Sequence, residues 1–364
     1  MSAAGTIDRD AADAAGGALG SHDAEAADWS RWRHLWPNHA HSGFVRAGGV
    51  RWHVQVAGRG PAVLLVHGTA GGTHSWHRVL PRLAERHTVI APDLPGHAFS
   101  SHPAERTGLT LPGMARALAA LLATLGVAPR LVVGHSAGAA VLLRMALDGA
   151  LPEARRLVGL NAAVAPPPAL AVLLGRGLAG AFASARVARW ASRLARHTDA
   201  TARLLLDTGS TVPPEIVRCY ELLTGTPAHV RAALTMMSGW DVAALADELH
   251  RVRIPTVLLA ARDDRWVPPR ATAQVARLLP DARFELVEGH GHLMHEEAGD
   301  QSAERLLQEA REAERREPRR SDADGVAGDR GRREVDGAIP LPRRGDRGLV
   351  AGEDEAQTTR RARG

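Results

Sequence analysis

The sequence predicts an α/β fold in which a mostly parallel, eight-stranded sheet is flanked by helices and carries an inserted helical cap. Between about residues 44 and 308, short apolar runs alternate with segments whose apolar residues have helical spacing. The run 62–68 is apolar without alternation, which is typical of a parallel strand buried on both faces. Strands that alternate with helices are joined by right-handed crossovers, and such crossovers produce a parallel sheet.

Each element follows from a local pattern. Residues 44–58 predict two short strands joined at Gly48-Gly49 as a hairpin. Further strands are expected in the runs 62–68, 88–96, 155–163, 254–261 and 282–289, and residues 131–138 predict a strand, a sharp turn and the start of a helix. Helices are expected between these runs, for example over 112–126, where several leucines share one side of the helix.

Three segments depart from this alternation. Residues 165–245 are helical in character, rich in Ala, Leu and Arg, and are interpreted as a helical cap inserted after the sixth strand. The predicted core therefore comprises residues 29–164 and 246–308. The segment 1–28 is rich in Ala, Gly and Asp, and the tail 309–364 is rich in Arg, Asp, Glu and Gly. Neither contains enough apolar surface to fold on its own, so both are expected to be disordered.

Composition limits the classes of function. The net charge is only +5, and every basic residue except histidine is arginine, which explains the pI of 10.7 without a strong field at neutral pH. Overall charge therefore gives no support to a nucleic-acid partner. The single cysteine, Cys219, excludes an intrachain disulfide and fits a reducing compartment. The N-terminus lacks the apolar region of a secretory signal. No motif calls for a cofactor or a metal.

A candidate nucleophile lies between an apolar run and a predicted helix. The residues Gly134-His135-Ser136-Ala137-Gly138 match G-x-S-x-G in the strand–turn–helix context that this motif requires. So tight a turn tolerates little more than glycine at its flanks and forces the serine into a strained conformation, with its hydroxyl above the sheet. The N–H of Ala137, at the start of the helix, can then donate to a developing oxyanion. A structural turn is the alternative.

Several motifs together resemble those of an α/β hydrolase with a helical cap, across residues 44 to about 308. They are His67-Gly68, Asp93-Leu94-Pro95-Gly96-His97, the turn at Ser136, Asp264 and Gly291-His292. The resemblance implies a serine nucleophile, an acid and a histidine in that chain order. Ala98 and Ala261 depart from the pattern, since many relatives have glycine there.

The resemblance implies that His292 is the base that activates Ser136. It follows the last predicted strand and comes directly after Gly291, in the G-x-G-H arrangement of this fold. His290 and His295 are the nearby alternatives. The three histidines could also suggest a metal site, but no set of carboxylates or cysteines completes one.

The acid is expected just after the preceding strand, where two aspartates are adjacent. Asp264 has the D-x-x-V-P spacing typical of the fold and is favoured over Asp263. It would orient His292 and stabilise the imidazolium without taking the proton. The alternative for either aspartate is a loop cap.

The second oxyanion donor is expected in the glycine-containing loop 67–72. The N–H of Thr69 is favoured, with Ala70 as the alternative. Other candidate substrate-binding residues belong to these motifs or to the cap, where core packing is an equal alternative. They are His67, Gly68, His135, Met236, Met237 and Trp240.

A narrower resemblance is to BchO, the family of magnesium-chelatase accessory proteins of bacteriochlorophyll biosynthesis. It rests on residues 36–38 (WPN), 46–55 (RAGGVRWHVQ) and 113–118 (GMARAL). The resemblance implies a cytoplasmic protein that works near the insertion of magnesium into protoporphyrin IX, with magnesium chelatase as a partner.

Four arginines of the cap share one side of a predicted helix. They are Arg186, Arg189, Arg193 and Arg196, next to Val187, Trp190 and Leu194. A solvated surface is one interpretation. The other is a basic amphipathic helix that meets anionic lipid, and hence a peripheral membrane contact, or the carboxylates of a tetrapyrrole.

Two functions follow from these observations. The first is a serine hydrolase that cleaves an ester, thioester or amide of a small, apolar substrate. The second is a non-catalytic accessory protein that binds a porphyrin or the chelatase on a hydrolase scaffold, since a fold alone does not establish catalysis. Another reaction of the same triad, such as carbon–carbon bond hydrolysis or perhydrolysis, is a third interpretation.

Overall fold

The fold is described from a computed structural model, over residues 27–164 and 184–315. These residues contain eight strands: β1 Ser42–Ala47, β2 Val50–Ala57, β3 Ala62–Val66, β4 Thr88–Pro92, β5 Leu131–His135, β6 Arg156–Leu160, β7 Thr256–Ala261 and β8 Ala282–Val287. The α-helices are α1 Trp29–Trp32, α2 Val79–Ala84, α3 Leu111–Leu125, α4 Ala137–Leu147, α5 Ala185–His197, α6 Ala200–Asp207, α7 Pro214–Thr224, α8 Pro227–Gly239, α9 Val242–Glu248, α10 Pro269–Leu278, α11 Met294–Glu297 and α12 Gly299–Arg315.

The strands form one sheet in the order β1-β2-β4-β3-β5-β6-β7-β8. β2 is antiparallel to both β1 and β4, whereas the remaining neighbours are parallel. The prediction of a mostly parallel, eight-stranded sheet is therefore confirmed. Because parallel strands end at the same edge, the loops after β3, β5, β7 and β8 meet there, where ligands bind in folds of this type.

Both faces of the sheet are buried, which explains the unbroken apolar runs. Neighbouring residues of β3 contribute to different cores, as the two-residue period of a strand requires. Leu64 packs in the cluster that contains residues of α3 and α4. Leu65 packs in the cluster that contains residues of α2 and α12. The loops at the sheet edge are thus held by a core on each side.

Five helices, α5 to α9, occupy the described part of the chain between β6 and β7. We refer to residues 184–251 as the insertion. Within it, α5 packs against α7 and α8. The predicted cap residues 165–183 lie outside the described residues. Across the described ranges, no helix combines the length and the apolarity needed to cross a bilayer.

The predicted start of the C-terminal tail at residue 309 is wrong. Helix α12 continues to Arg315, and Glu309, Ala310 and Ala313 are buried in it. Ala310 belongs to an apolar stripe that faces the core, while Glu309 forms an ion pair with Arg156 at 3.1 Å. The high charge of this region concealed that stripe, because composition averages over all sides of a helix. Residues 316–364, the rest of the predicted tail, lie outside the described residues.

The predicted N-terminal segment also ends slightly earlier than expected. Asp28 caps helix α1, since its carboxylate accepts a hydrogen bond from the N–H of Ser30 at 3.0 Å. Residues 1–26 lie outside the described residues.

Candidate active site

Ser136 lies in the tight turn between β5 and α4. Its φ of 50° and ψ of −116° fall outside the regions that a residue with a side chain normally adopts. The flanking glycines are required by close packing. A Cβ on Gly134 would lie 2.5 Å from the backbone nitrogen of Ala139, and a Cβ on Gly138 would lie 2.3 Å from the carbonyl oxygen of Val66. The sequence G-x-S-x-G thus permits the close approach that holds the serine in this conformation.

The structure brings His292 and Asp264 together at the same edge of the sheet. Nδ1 of His292 lies 2.8 Å from Oδ2 of Asp264, and both side chains are buried. The other carboxylate oxygen accepts hydrogen bonds from the N–H groups of Trp266 and Val267, each at 2.8 Å. Asp263, the alternative acid, is exposed. With Nδ1–H donating to Asp264, Nε2 of His292 has a free lone pair with which to accept a proton.

The alternative histidines have other surroundings. Nε2 of His290 lies 3.2 Å from the side-chain oxygen of Gln301. The buried ring of His295 lies between the rings of Trp76 and His135, tilted against both, and burial lowers the pKa of His295 to about 3. No group of three metal-binding side chains that could hold one ion occurs within residues 27–164 and 184–315.

Asn161, which the sequence analysis missed, supports the loop that carries His292. It follows β6 with a φ of 48°. Its amide nitrogen donates to the carbonyl oxygens of Gly291 at 3.2 Å and His292 at 2.8 Å, and its amide oxygen accepts from the N–H of Ala261 at 2.7 Å. His135, a predicted substrate-binding residue, lies with Nε2 2.9 Å from the same carbonyl oxygen of His292. Asn161, at the end of β6, thus connects the end of β7 to the loop that carries His292.

The insertion also hydrogen-bonds to this loop through residues 208–210. The carbonyl oxygen of Thr208 accepts from the N–H groups of Arg265 at 3.3 Å and His292 at 3.2 Å. The hydroxyl of Ser210 accepts from the N–H of Leu293 at 2.8 Å. A Cβ on Gly291 would lie 2.3 Å from the backbone of Gly209, so the two segments are in close contact. The positions of the acid and histidine loops therefore depend on the insertion.

The loop after β3 forms a turn directly beside Ser136. The N–H of Gly71 donates to the carbonyl oxygen of Gly68 at 3.1 Å, and a Cβ on Gly68 would lie 3.0 Å from Cβ of Ser136. Thr69 occupies the second position of this turn, so the turn's own hydrogen bond does not use its N–H. The N–H of Ala137 belongs to the first turn of α4, where amides lack an acceptor within the helix. Thr69 and Ala137 thus carry the two candidate oxyanion donors.

His67, another predicted substrate-binding residue, braces this loop. Its Nδ1 lies 2.7 Å from the carbonyl oxygen of Gly68, and its Nε2 accepts from the N–H of Leu94 at 2.8 Å. Complete burial lowers the pKa of His67, so the ring is neutral at neutral pH. Both ring nitrogens are therefore engaged with the backbone.

His229, on α8 of the insertion, was also missed by the sequence analysis, and it joins two strained loops. Its Nδ1 accepts from the N–H of Ala98 at 3.0 Å, and its Nε2 lies 3.2 Å from the carbonyl oxygen of Ala70. Ala70 and Ala98 have φ values of 58° and 43°, a region that usually requires glycine. Burial lowers the pKa of His229 to about 3, so one nitrogen accepts while the other donates. No local motif marks this residue; only its spatial position reveals it.

Of the three predicted apolar substrate-binding residues, only Met236 touches the loop. The hydroxyl of Thr69 donates to its sulfur at 3.6 Å, and Met236 is buried. Met237, the next residue of α8, is 46% exposed at the surface. The indole N–H of Trp240 donates to the carbonyl oxygen of Leu109 at 3.0 Å. Met236 therefore contacts the candidate site, whereas Met237 is exposed at the surface and the indole of Trp240 hydrogen-bonds to Leu109.

We expect replacement of His229 by alanine to slow the reaction of Ser136 with a fluorophosphonate roughly 10- to 100-fold. Ala70 and the N–H of the adjacent Thr69 would lose the hydrogen bond that holds them in place. His229→Gln should recover most of the rate, since a carboxamide can also accept from Ala98 and donate to Ala70. The rate of covalent labelling by a fluorophosphonate measures this effect. Equal rates in the alanine variant and the wild type would contradict it.

A second buried polar group links the insertion to the core. The hydroxyl of Tyr220, on α7, donates to a carboxylate oxygen of Glu296, on α11, at 2.7 Å, and Ser75 also contacts this carboxylate. Glu296 is fully buried, and this burial raises its pKa to about 7. Between pH 4.5 and 7 the folded protein therefore retains a proton that the unfolded chain releases. The contribution of Glu296 to stability is present at low pH and is lost as the pH rises through this window.

We expect Glu296→Gln to remove this pH dependence. Relative to the wild type, its free energy of unfolding should improve by roughly 3 kcal/mol between pH 4.5 and 8, at about 1.4 kcal/mol per pKa unit. The difference between the two proteins removes the contribution of groups that do not contact Glu296. His295, whose Nε2 lies 3.8 Å from Oε1 of Glu296, stays neutral over this range because burial lowers its pKa to about 3. Urea unfolding at several pH values measures it, with the exposed Glu304→Gln as the control. A difference that does not vary with pH would rule the expectation out.

Comparisons with known proteins agree with this architecture. The family model described as alpha/beta hydrolase fold matches residues 61–299. The magnesium-chelatase 30 kDa subunit of Rhodobacter capsulatus is 38% identical over 272 residues, which are 73% of this chain and 93% of that protein. The pimeloyl-[acyl-carrier protein] methyl ester esterase of Xanthomonas axonopodis pv. citri is 29% identical over 70% of this chain and 96% of its own.

A solved structure shares the same fold. The thermophilic esterase from Thermogutta terrifontis has a TM-score of 0.58 and 23% identity, and the alignment covers 72% of this chain and 94% of that chain. The match to the family model and the similarity to the chelatase subunit each extend over most of the chain. The chain therefore belongs to the α/β hydrolase family, in a group with the magnesium-chelatase 30 kDa subunit, BchO.

Proposed function

We propose that this protein is a serine hydrolase that cleaves an ester, thioester or amide bond of a small, apolar substrate. The observation that carries the proposal is the buried hydrogen bond from His292 to Asp264 at 2.8 Å, at the same sheet edge as the strained Ser136. A buried carboxylate that orients a histidine is what a serine hydroxyl needs to become a nucleophile. The esterase among the relatives supports the same class of reaction.

The reaction would proceed in two acyl transfers. Oγ of Ser136 bonds to the substrate carbonyl carbon while its proton moves to Nε2 of His292. The oxyanion accepts hydrogen bonds from the N–H groups of Thr69 and Ala137, and the imidazolium is stabilised by Asp264. The bond to the leaving group then breaks, and the leaving group takes the proton from His292. Water completes the reaction by the same steps, which releases the acid and restores Ser136.

The surroundings of the site support an apolar acyl group. Met236 contacts Thr69 beside the candidate oxyanion donors.

Because the chain is similar to the magnesium-chelatase 30 kDa subunit, we propose that it acts with magnesium chelatase in bacteriochlorophyll biosynthesis, with a tetrapyrrole or a related apolar ester as its substrate. No cofactor takes part in this scheme.

The second candidate function is a non-catalytic accessory role, in which the chain binds a porphyrin or the chelatase on the hydrolase scaffold. The name of the Rhodobacter capsulatus relative, a chelatase subunit, favours it. The two functions make opposite predictions for Ser136, since only the first requires its hydroxyl.

We expect a fluorophosphonate probe to label the wild type covalently, and Ser136→Ala to lose all labelling. Both proteins are then introduced into a bacteriochlorophyll-producing strain that lacks its own copy. Restoration of pigment by the wild type alone would support the hydrolase. Equal restoration by the alanine variant would make the accessory role the better description, and a wild type that does not label would overturn the proposed mechanism.

A further inference from the structure

Helices α5 and α6 of the insertion carry an unusual amount of exposed apolar surface. Of the large apolar side chains that are exposed within the described residues, four lie on these two adjacent helices. They are Trp190 (66% exposed), Leu194 (43%), Leu204 (44%) and Leu206 (60%). Trp190, Leu194 and Leu204 line an open groove of about 280 Å³ together with Val230. An exposed patch of this kind on a soluble fold marks an interaction surface.

The same surface is strongly basic. Residues 184–207, which span both helices, contain five arginines and two aspartates, Asp199 and Asp207. On α5 itself there is no acidic residue, and its buried side faces the insertion through Ala188 and Ser192. Arg186 and Arg193 lie one turn before and after the exposed Trp190, on the same outer side of the helix. The outer side of α5 therefore presents a tryptophan flanked by cations.

Charge distinguishes among the occupants that such a surface could take. A second copy of the chain would bring the same arginines against these, and a symmetric contact of like charges is unfavourable. The chain's own segment 165–183 contains one arginine and no acidic residue, so it could cover the apolar side chains but not neutralise the cations. An anionic lipid surface matches both features, because acyl chains accept the apolar side chains while headgroup phosphates pair with arginine.

We propose that helices α5 and α6 bind the surface of an anionic membrane, with Trp190 and Leu194, which line the same groove, inserted at the level of the headgroups. This surface belongs to the insertion whose other side contacts the candidate active site through His229. Binding to the membrane through this surface would bring the candidate active site close to any apolar substrate dissolved in the bilayer. The inference does not depend on the hydrolase reaction.

The test is co-sedimentation of the full-length protein with vesicles. We expect binding to vesicles of phosphatidylglycerol and phosphatidylcholine, little binding to phosphatidylcholine alone, and weakening by added salt. The double variants Arg186→Glu/Arg193→Glu and Trp190→Ala/Leu194→Ser should each bind at least about tenfold more weakly. The matched control is Arg277→Glu/Leu278→Ser on α10, which changes an exposed arginine and an exposed leucine outside the surface. Circular dichroism checks that every variant is folded.

Three outcomes would overturn the proposal. Failure of the wild type to bind either vesicle would do so directly. Undiminished binding by both α5–α6 variants would mean that arginines elsewhere in the chain bind the lipid. Self-association of the wild type without vesicles, abolished by Trp190→Ala/Leu194→Ser, would identify a second copy as the occupant. Because Ser136 is untouched in all variants, fluorophosphonate labelling separately reports whether the proposed hydrolase function holds.

Discussion

Replacing Asp264 by asparagine is expected to slow the covalent reaction of Ser136 with a fluorophosphonate by about 10³- to 10⁴-fold while leaving the fold intact. The carboxamide oxygen of asparagine can still accept from the N–H groups of Trp266 and Val267, so the loop keeps its hydrogen bonds. Its NH₂ group, however, now faces Nδ1 of His292 and forces that nitrogen to accept. The proton then sits on Nε2, which can no longer remove the proton of the serine hydroxyl.

The measurement is the second-order rate constant of fluorophosphonate labelling. Asp263→Asn is the matched control, because it makes the same chemical change in the adjacent, exposed residue and should label at the wild-type rate. If Asp264→Asn labelled as fast as the wild type, the hydrogen bond between Asp264 and His292 would have no part in activating Ser136.

We expect Gly138→Ala to destabilise the protein by about 3 kcal/mol and to abolish labelling. The added Cβ would lie 2.3 Å from the carbonyl oxygen of Val66 and 2.6 Å from that of His67. Both atoms are backbone atoms at the end of β3, so neither can move without displacing the strand or the loop beside Ser136. The start of α4 and the loop after β3, which carry the two candidate oxyanion donors, would therefore move apart.

Thermal unfolding measures the first effect, which corresponds to a fall in Tm of roughly 10 °C for a domain of this size. Gly239→Ala is the control, since a Cβ there meets nothing within 4 Å. A Gly138→Ala protein with the wild-type Tm would show that the close approach of α4 to β3 is not required.

The fold and the central residues of the site could be predicted because their signals are local. Strands such as β5 are buried on both faces and leave unbroken apolar runs, and the turn at Ser136 needs glycines at fixed positions. Asp264 was favoured over Asp263 by spacing, and it is Asp264 that hydrogen-bonds to His292.

The supporting residues could not be predicted because their partners are distant in sequence and their residue types are common. Asn161 meets His292 across 131 residues, and His229 meets Ala70 across 159. Nothing in the neighbouring sequence distinguishes them from other buried polar residues. The end of the core was misjudged for a related reason, because Glu309 is charged yet fully buried beside arginines from other elements.

The contact of residues 208–210 with the histidine loop restricts how this protein can change. The insertion lies between the sixth and seventh strands and would be expected to be exchangeable as a unit. Here the carbonyl of Thr208 and the hydroxyl of Ser210 hold the backbone of His292 and Leu293. A chimaera that receives the insertion of a relative would lose the hydrogen bonds that hold the loop of His292 in place. Variation by substitution within the existing helices therefore preserves this loop more readily than exchange of the whole segment.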